Sequence, residues 1–356
     1  MELTKFIRTA DLGAWLAELS QRSRVFAPVY EGEAILFRPF DPNREIITDY
    51  AATSPPKDVL FPRSESLLDF TFAKDRDDPG RVKVEVRENL SGESTVVFGG
   101  RPCDARGFTM FDRIYLNEKS RDIYYAERRE NTFFITMACR NIEDTCFCHW
   151  MGSSPCDSAG SDLLAIPVRD GFFIKAVSAK GGQLLSSTLM TDGADKMDEA
   201  EAFCQGATAS LGKAPDLSGT PDMIMKIFQD MAFWEGVSAK CLSCGACTYL
   251  CPSCYCFTID DENEGTHGKR IRSWDNCMSA RFTLEASGHN PRPTKAHRMK
   301  NRVSHKFSYY PLIHDGTISC CGCGRCIKSC PVGIDIRDIV LKAMDYKPET
   351  AQGAEK

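Results

Sequence analysis

Cys241-x2-Cys244-x2-Cys247-x3-Cys251-Pro252 recurs as Cys320-x2-Cys323-x2-Cys326-x3-Cys330-Pro331. Both copies carry glycine directly after the second cysteine, at Gly245 and Gly324. Three cysteines at this spacing wrap three corners of an iron–sulfur cube, and glycine lets the backbone curl around it. The fourth cysteine, before proline, points away from its own loop and in two-cluster ferredoxins ligates the other cluster. The pattern therefore predicts one [4Fe–4S] cluster on Cys241, Cys244, Cys247 and Cys330, and a second on Cys320, Cys323, Cys326 and Cys251. Using Cys321 in place of Cys320 would break the spacing. Zinc ribbons use two C-x2-C pairs, not a repeated three-plus-one run ending in proline.

The rest of the chain agrees with metal rather than disulfides. Eighteen cysteines in 356 residues exceed any need for packing, and disulfide-dense chains are usually short and poor in core residues. The formal net charge of −5 gives no global reason to expect nucleic acid or an anionic membrane as partner. No stretch approaches the roughly 18 apolar residues of a spanning helix. Met1-Glu2-Leu3-Thr4-Lys5 lacks a basic patch followed by an apolar run, so no secretory signal is expected. These features predict a soluble, cytoplasmic protein.

Residues 252–319 separate the two runs. A small ββαβ ferredoxin would need a large insertion there. A helical dicluster domain accommodates it more easily, with helices expected at Ile334–Met344 and Ser279–Glu285. Upstream, a helix over Asp11–Leu19 precedes strand-like runs at Arg24–Val29, Ala34–Phe37, Val82–Val86, Ser94–Phe98, Thr132–Met137, Leu163–Val168 and Phe172–Val177. Helical signals lie between them at Arg106–Leu116 and Asp195–Ser210. The fold class expected is α+β, with an N-terminal mixed α/β domain followed by an α-helical dicluster ferredoxin domain. A Gly-, Ser- and Pro-rich stretch marks the boundary, and Pro221 suits the first turn of a helix. The expected division is 1–205, a linker 206–221, the dicluster domain 222–346 and a mobile tail 347–356.

The N-terminal half has a cysteine set of its own: Cys103, Cys139, Cys146 and Cys148. Spacing alone leaves two readings open, a third cluster or buried reduced thiols. Cys254, Cys256 and Cys277 are three, one short of the usual four ligands. A fourth such as His305 could complete a centre there, but packing near the first cluster is preferred. From Lys269 to Lys306 the insert carries ten basic residues, Lys269, Arg270, Arg272, Arg281, Arg292, Lys295, Arg298, Lys300, Arg302 and Lys306, against only Asp275 and Glu285 within that stretch. Sparse aromatic interleaving argues against nucleic acid. Cations near thiolate-ligated clusters favour the reduced state, so tuning of the clusters or docking of an acidic partner is preferred.

Arg101-Pro-Cys-Asp, Tyr124-Tyr-Ala-Glu-Arg-Arg129 and Cys146-Phe-Cys148-x2-Met151-Gly152 resemble the electron-transfer subunit of anaerobic sulfite reductase and, equally, the sulfhydrogenase beta subunit. Arg24-Val-Phe-Ala-Pro28, Cys251-Pro-Ser-Cys254-Tyr-Cys256-Phe257, Trp274-x2-Cys277, Gly288-His-Asn-x-Arg292 and His305-Lys-Phe307 extend the likeness over most of the chain. The resemblance implies a third [4Fe–4S] cluster on Cys103, Cys139, Cys146 and Cys148, tuned by Arg101 and Arg106. It implies an electron-transfer role that links a flavin-containing NAD(P)H-oxidising subunit to a catalytic redox subunit. The latter would be a sulfite reductase, a nickel–iron hydrogenase or a heterodisulfide-reductase-type module. Cys156, Cys204 and Cys321 depart from the pattern and read as incidental thiols.

No P-loop and no G-x-G-x-x-G follow a strand, and no catalytic residue is assigned. Two other readings have distinct consequences. A redox enzyme using Cys254, Cys256 and Cys277 would turn over alone with an artificial electron donor. A zinc-binding interaction protein would contain zinc and no acid-labile sulfide.

Overall fold

The computed structural model describes residues 3–78 and 80–347. Met1 and Glu2, and all of the tail beyond Lys347, lie outside the described residues. The chain divides into two units that interleave along the sequence. The first holds residues 1–142, 154–210 and 255–275, and the second holds 143–153, 211–254 and 276–356. The expected continuous split differs at two places. Residues 143–153 fall in the second unit, and the hairpin around 257–274 falls in the first. The stretch 222–346 is therefore not all helical.

Twelve strands are described: β1 Thr4–Arg8, β2 Arg24–Glu31, β3 Ala34–Pro39, β4 Ser64–Lys74, β5 Val82–Glu88, β6 Thr95–Gly100, β7 Thr132–Met137, β8 Leu163–Val168, β9 Gly171–Ala176, β10 Thr191–Asp192, β11 Phe257–Glu264 and β12 His267–Trp274. Eight form one sheet in the order β10-β1-β9-β8-β7-β6-β2-β3, with β2, β6, β7 and β8 mutually parallel. Central parallel strands are covered on both faces, which is why β6 and β8 are buried at every position. On one face lie Leu12, Trp15 and Leu16 of the helix Leu12–Ser20, against Val96, Phe98 and Ile135. On the other lie Phe108 and Phe111 of the helix Pro102–Tyr115 and Tyr125 of the helix Ile123–Asn131, against Val97 and Phe134.

Tyr125 shows how this face is tied. Its hydroxyl donates to Asp112 Oδ1 at 2.7 Å, and the same carboxylate accepts from Arg129 Nε at 3.1 Å. Tyr125→Phe leaves that carboxylate one donor short and should cost about 1–2 kcal/mol, read as a lower chemical-denaturation midpoint. An unchanged midpoint would mean that Arg129 alone satisfies Asp112.

A second, antiparallel sheet runs β11-β12-β4-β5. Phe257 and Trp274 at the ends of its hairpin pack against the core that contains Phe61 and Tyr115. Arg272 is 3 % exposed, bonds Glu65 Oε1 through Nη2 at 2.7 Å and pairs with Asp122. This arginine, expected to tune a cluster or meet a partner, is instead spent inside the first unit. The expected helix at Ser279–Glu285 is a series of turns. Regular structure in the second unit is short helices, among them Thr220–Lys226, Met231–Ser238, Lys295–Ser304 and Ile336–Asp345. Among the described residues no helix is long and apolar enough to cross a membrane.

Candidate iron–sulfur centres

The two cysteine runs have the same backbone. In the first, Ser243 takes a positive φ of 56° and its N–H donates to Cys241 Sγ at 3.4 Å. In the second, Gly322 takes φ 63° and its N–H donates to Cys320 Sγ at 3.5 Å. Gly245 at φ 78° and Gly324 at φ 73° then open one-turn helices, Ala246–Tyr249 and Arg325–Lys328, which carry Cys247 and Cys326. The turns close alike, with Cys251 N–H donating to Thr248 O and Cys330 N–H to Ile327 O, each at 3.2 Å. This equivalence identifies Cys320, not Cys321, as the counterpart of Cys241.

Each run bounds a cavity. Cys241, Cys244, Cys247 and Cys330 line the first, together with Met278, Met299, Arg302 and Cys326. Cys251, Cys320, Cys323 and Cys326 line the second, together with Cys321, Phe147, Arg302 and Lys306. The fourth cysteine of each run thus lies on the cavity of the other. Among the described residues no three histidine, cysteine or carboxylate side chains converge as they would on a single metal ion. Two departures matter. Cys326 borders both cavities, and Cys321 is a fifth cysteine of the second.

The charges around these cavities fit an anionic, thiolate-ligated group. Arg302, on the helix Lys295–Ser304, is 4 % exposed, and Nη1 lies 3.6 Å from Cys254 Sγ. Lys306 is 3 % exposed, and Nζ donates to Ser253 Oγ at 3.0 Å and Ser319 O at 2.8 Å. Among the described residues no carboxylate forms an ion pair with either. Buried charges are paired or face a metal centre, and the groups nearest to both cations here are cysteines. Burial opposes both cations, yet the nearby cysteines, including Cys247 and Cys254 for Arg302 and Cys251 for Lys306, push them well above their ordinary values.

The thiols show the converse. Burial pushes up Cys247, Cys320 and Cys326, and takes Cys323 to about 12. Arg302 pulls Cys247 and Cys326 back, and Lys306 does so for Cys320. Cys251 is held well below its usual value, first by its hydrogen bond with Cys254.

The N-terminal candidates are placed as follows. Arg101 follows β6 and caps the helix Pro102–Tyr115, Cys103 lies in the first turn of that helix, and Cys139 follows β7. These are the carboxyl ends of parallel strands, where α/β sheets gather their ligands. Arg101 is 1 % exposed, and its guanidinium donates to Ala138 O at 3.0 Å, Thr48 O at 2.6 Å and Tyr50 O at 2.8 Å. Arg106 lies 3.7 Å from Asp157. Cys146 and Cys148 fall in the second unit, where Phe147 N–H donates to Gly322 O at 2.8 Å. Cys156 and Cys204, read as incidental thiols, form a disulfide with Cα atoms 5.8 Å apart. Of the three remaining cysteines, Cys256 belongs to the first unit, and Cys254 and Cys277 belong to the second. His305 stacks on Tyr309 with ring centroids 5.3 Å apart, and burial lowers it to about 4.

Residues 240–334 match the 4Fe-4S dicluster domain family. The chain is 29% identical over 327 residues to the sulfhydrogenase 2 subunit beta of Pyrococcus furiosus, covering 89% of this chain and 91% of the relative. No solved structure matches it. The domain match and the near full-length similarity support an iron–sulfur electron-transfer subunit of an oxidoreductase.

Proposed function

We propose that the chain carries electrons, within the cytoplasm, from a flavin-containing, NAD(P)H-oxidising subunit to a catalytic redox subunit or in the reverse direction. The catalytic partner would be a sulfite reductase, a nickel–iron hydrogenase or a heterodisulfide-reductase-type module. Cys241, Cys244, Cys247 and Cys330 would hold one [4Fe–4S] cluster, and Cys320, Cys323, Cys326 and Cys251 a second. The observation that carries this reading is the pair of cysteine-ringed cavities with buried cations beside them. Each cluster would supply a site that takes and gives one electron at a time. On the family resemblance, Cys103, Cys139, Cys146 and Cys148 are proposed for a third, with Arg101 and Arg106 beside it.

The residues of this chain do the positioning. The positive-φ turns at Ser243, Gly245, Gly322 and Gly324 aim the thiols inward. Backbone N–H groups meet Cys241 and Cys320, and the Ile334 N–H donates to Cys330 Sγ at 3.2 Å. Such bonds stabilise thiolate and favour the reduced state of what it ligates.

The test is isolation without oxygen, followed by iron and sulfide analysis and identification of the subunits that co-purify. About twelve irons per chain supports three cubes and about eight supports two, at four irons each. Flavin-bearing and catalytic subunits should co-purify. Zinc without sulfide defeats the proposal. So does turnover by the isolated chain with an artificial donor, if Cys277→Ser abolishes it while every cluster is retained.

A further inference from the structure

The ten basic residues of the insert look alike in the sequence, but only two of them border the cysteine cavities. Arg302 lines both. Lys306 lines the second alone. We propose that Arg302 is a shared electrostatic control on the two centres, raising the reduction potential of both, whereas Lys306 raises that of the Cys320–Cys323–Cys326–Cys251 centre only. This rests on the cluster assignment above.

The argument is one of placement. Both side chains are buried, so their charges act through protein rather than through screening water. Neither is neutralised by a carboxylate among the described residues. Each is held in position: Arg302 by its helix and by Cys254, and Lys306 by Ser253 and Ser319. The two sit one helical turn apart, where Lys295–Ser304 passes into a π-helical turn, His305–Tyr309. Insertions of that kind recur at functional sites because they re-aim the side chains that follow. A fixed cation beside a centre that gains an electron stabilises the product of that gain. Its removal makes reduction harder, most of all at the centres it borders, because the effect falls with distance.

The experiment is a redox titration of the full chain, isolated without oxygen and followed by electron paramagnetic resonance. The wild type is compared with Arg302→Met, Arg302→Lys, Lys306→Met and Lys300→Met. Lys300 serves as the control because it lies on the same helix, borders neither cavity and sits 4.3 Å over the Phe228 ring. Signals are assigned to each centre with single cysteine variants. Arg302→Met should make reduction of both centres at least tenfold less favourable, about 59 mV for one electron. Lys306→Met should do so for the second centre only. Lys300→Met should leave both potentials within threefold of wild type.

Arg302→Met shifting one centre or neither, with both retained, overturns the proposal. Lys306→Met shifting both overturns the selective part. If Arg302→Met fails to hold both centres, Arg302→Lys decides: retained charge should keep both potentials within threefold, and a tenfold fall in either is fatal. A wild-type sample without two centres would refute the cluster assignment itself, before any variant is compared.

Discussion

Cys241→Ala combined with Cys330→Ala should cost no more iron than either change alone, about four atoms per chain at four per cube. The two residues belong to different runs, yet they line one cavity. If both serve one cluster, the first change has already removed what the second would remove. That is the non-additivity expected of residues acting on a shared object. Cys323→Ala combined with Cys330→Ala is the contrasting pair. Those cysteines share a run but line different cavities, so the double variant should lose about eight irons. Iron and sulfide analysis with spin quantitation reads both outcomes. The reverse pattern would mean that each run closes its own cluster and that the crossed assignment is wrong. Cys326 is the informative exception, since it borders both cavities. Cys326→Ala should remove the second cluster and disturb the signal of the first.

What is legible in the chain without its structure divides along physical lines. The matched backbone of the two cysteine runs is legible because motif spacing is a local property. The loop geometry that enforces it, down to a glycine after the second cysteine, is written in adjacent residues. Strands Thr132–Met137 and Leu163–Val168 are legible because buried parallel strands read as continuous apolar runs. The hairpin at 257–274 is not. Its outer strand is half acidic, Asp260-Asp261-Glu262 among them, and its counterpart is basic, so the pair reads as solvated loop. The partners that order it lie far off, Glu65 being 207 residues before Arg272. The Cys156–Cys204 bond is equally out of reach, because its halves are 48 residues apart with no motif between them. The distinction among the insert's cations fails for the same reason. Composition shows that ten charges are present, and only packing shows that Arg302 and Lys306 point inward while Arg272 belongs elsewhere.

Gly324→Ala should be among the most damaging single-methyl changes in the second unit, and Gly333→Ala a mild one, although both glycines have nearly the same φ. Gly324 has φ 73° and Gly333 has φ 66°, so an L side chain at either costs about 1–2 kcal/mol. What differs is the space. A Cβ on Gly324 would stand 2.4 Å from Thr145 O, whereas nothing lies within 4 Å of one on Gly333. Thr145 cannot easily yield. Its segment is tied by Phe147 N–H to Gly322 O at 2.8 Å and by Arg337 Nη1 to Asp144 O at 2.9 Å. A Cβ on Gly322 would itself meet Phe147 O at 2.5 Å. Moving this backbone adds about 1–3 kcal/mol of overpacking, so Gly324→Ala should cost about 2–5 kcal/mol and Gly333→Ala about 1–2 kcal/mol. Thermal midpoints of the two variants, measured on protein isolated without oxygen, separate these effects. Equal midpoints would show that the loop bearing Cys146 and Cys148 does not pack on the second cysteine run, and that the glycine is needed only for its φ.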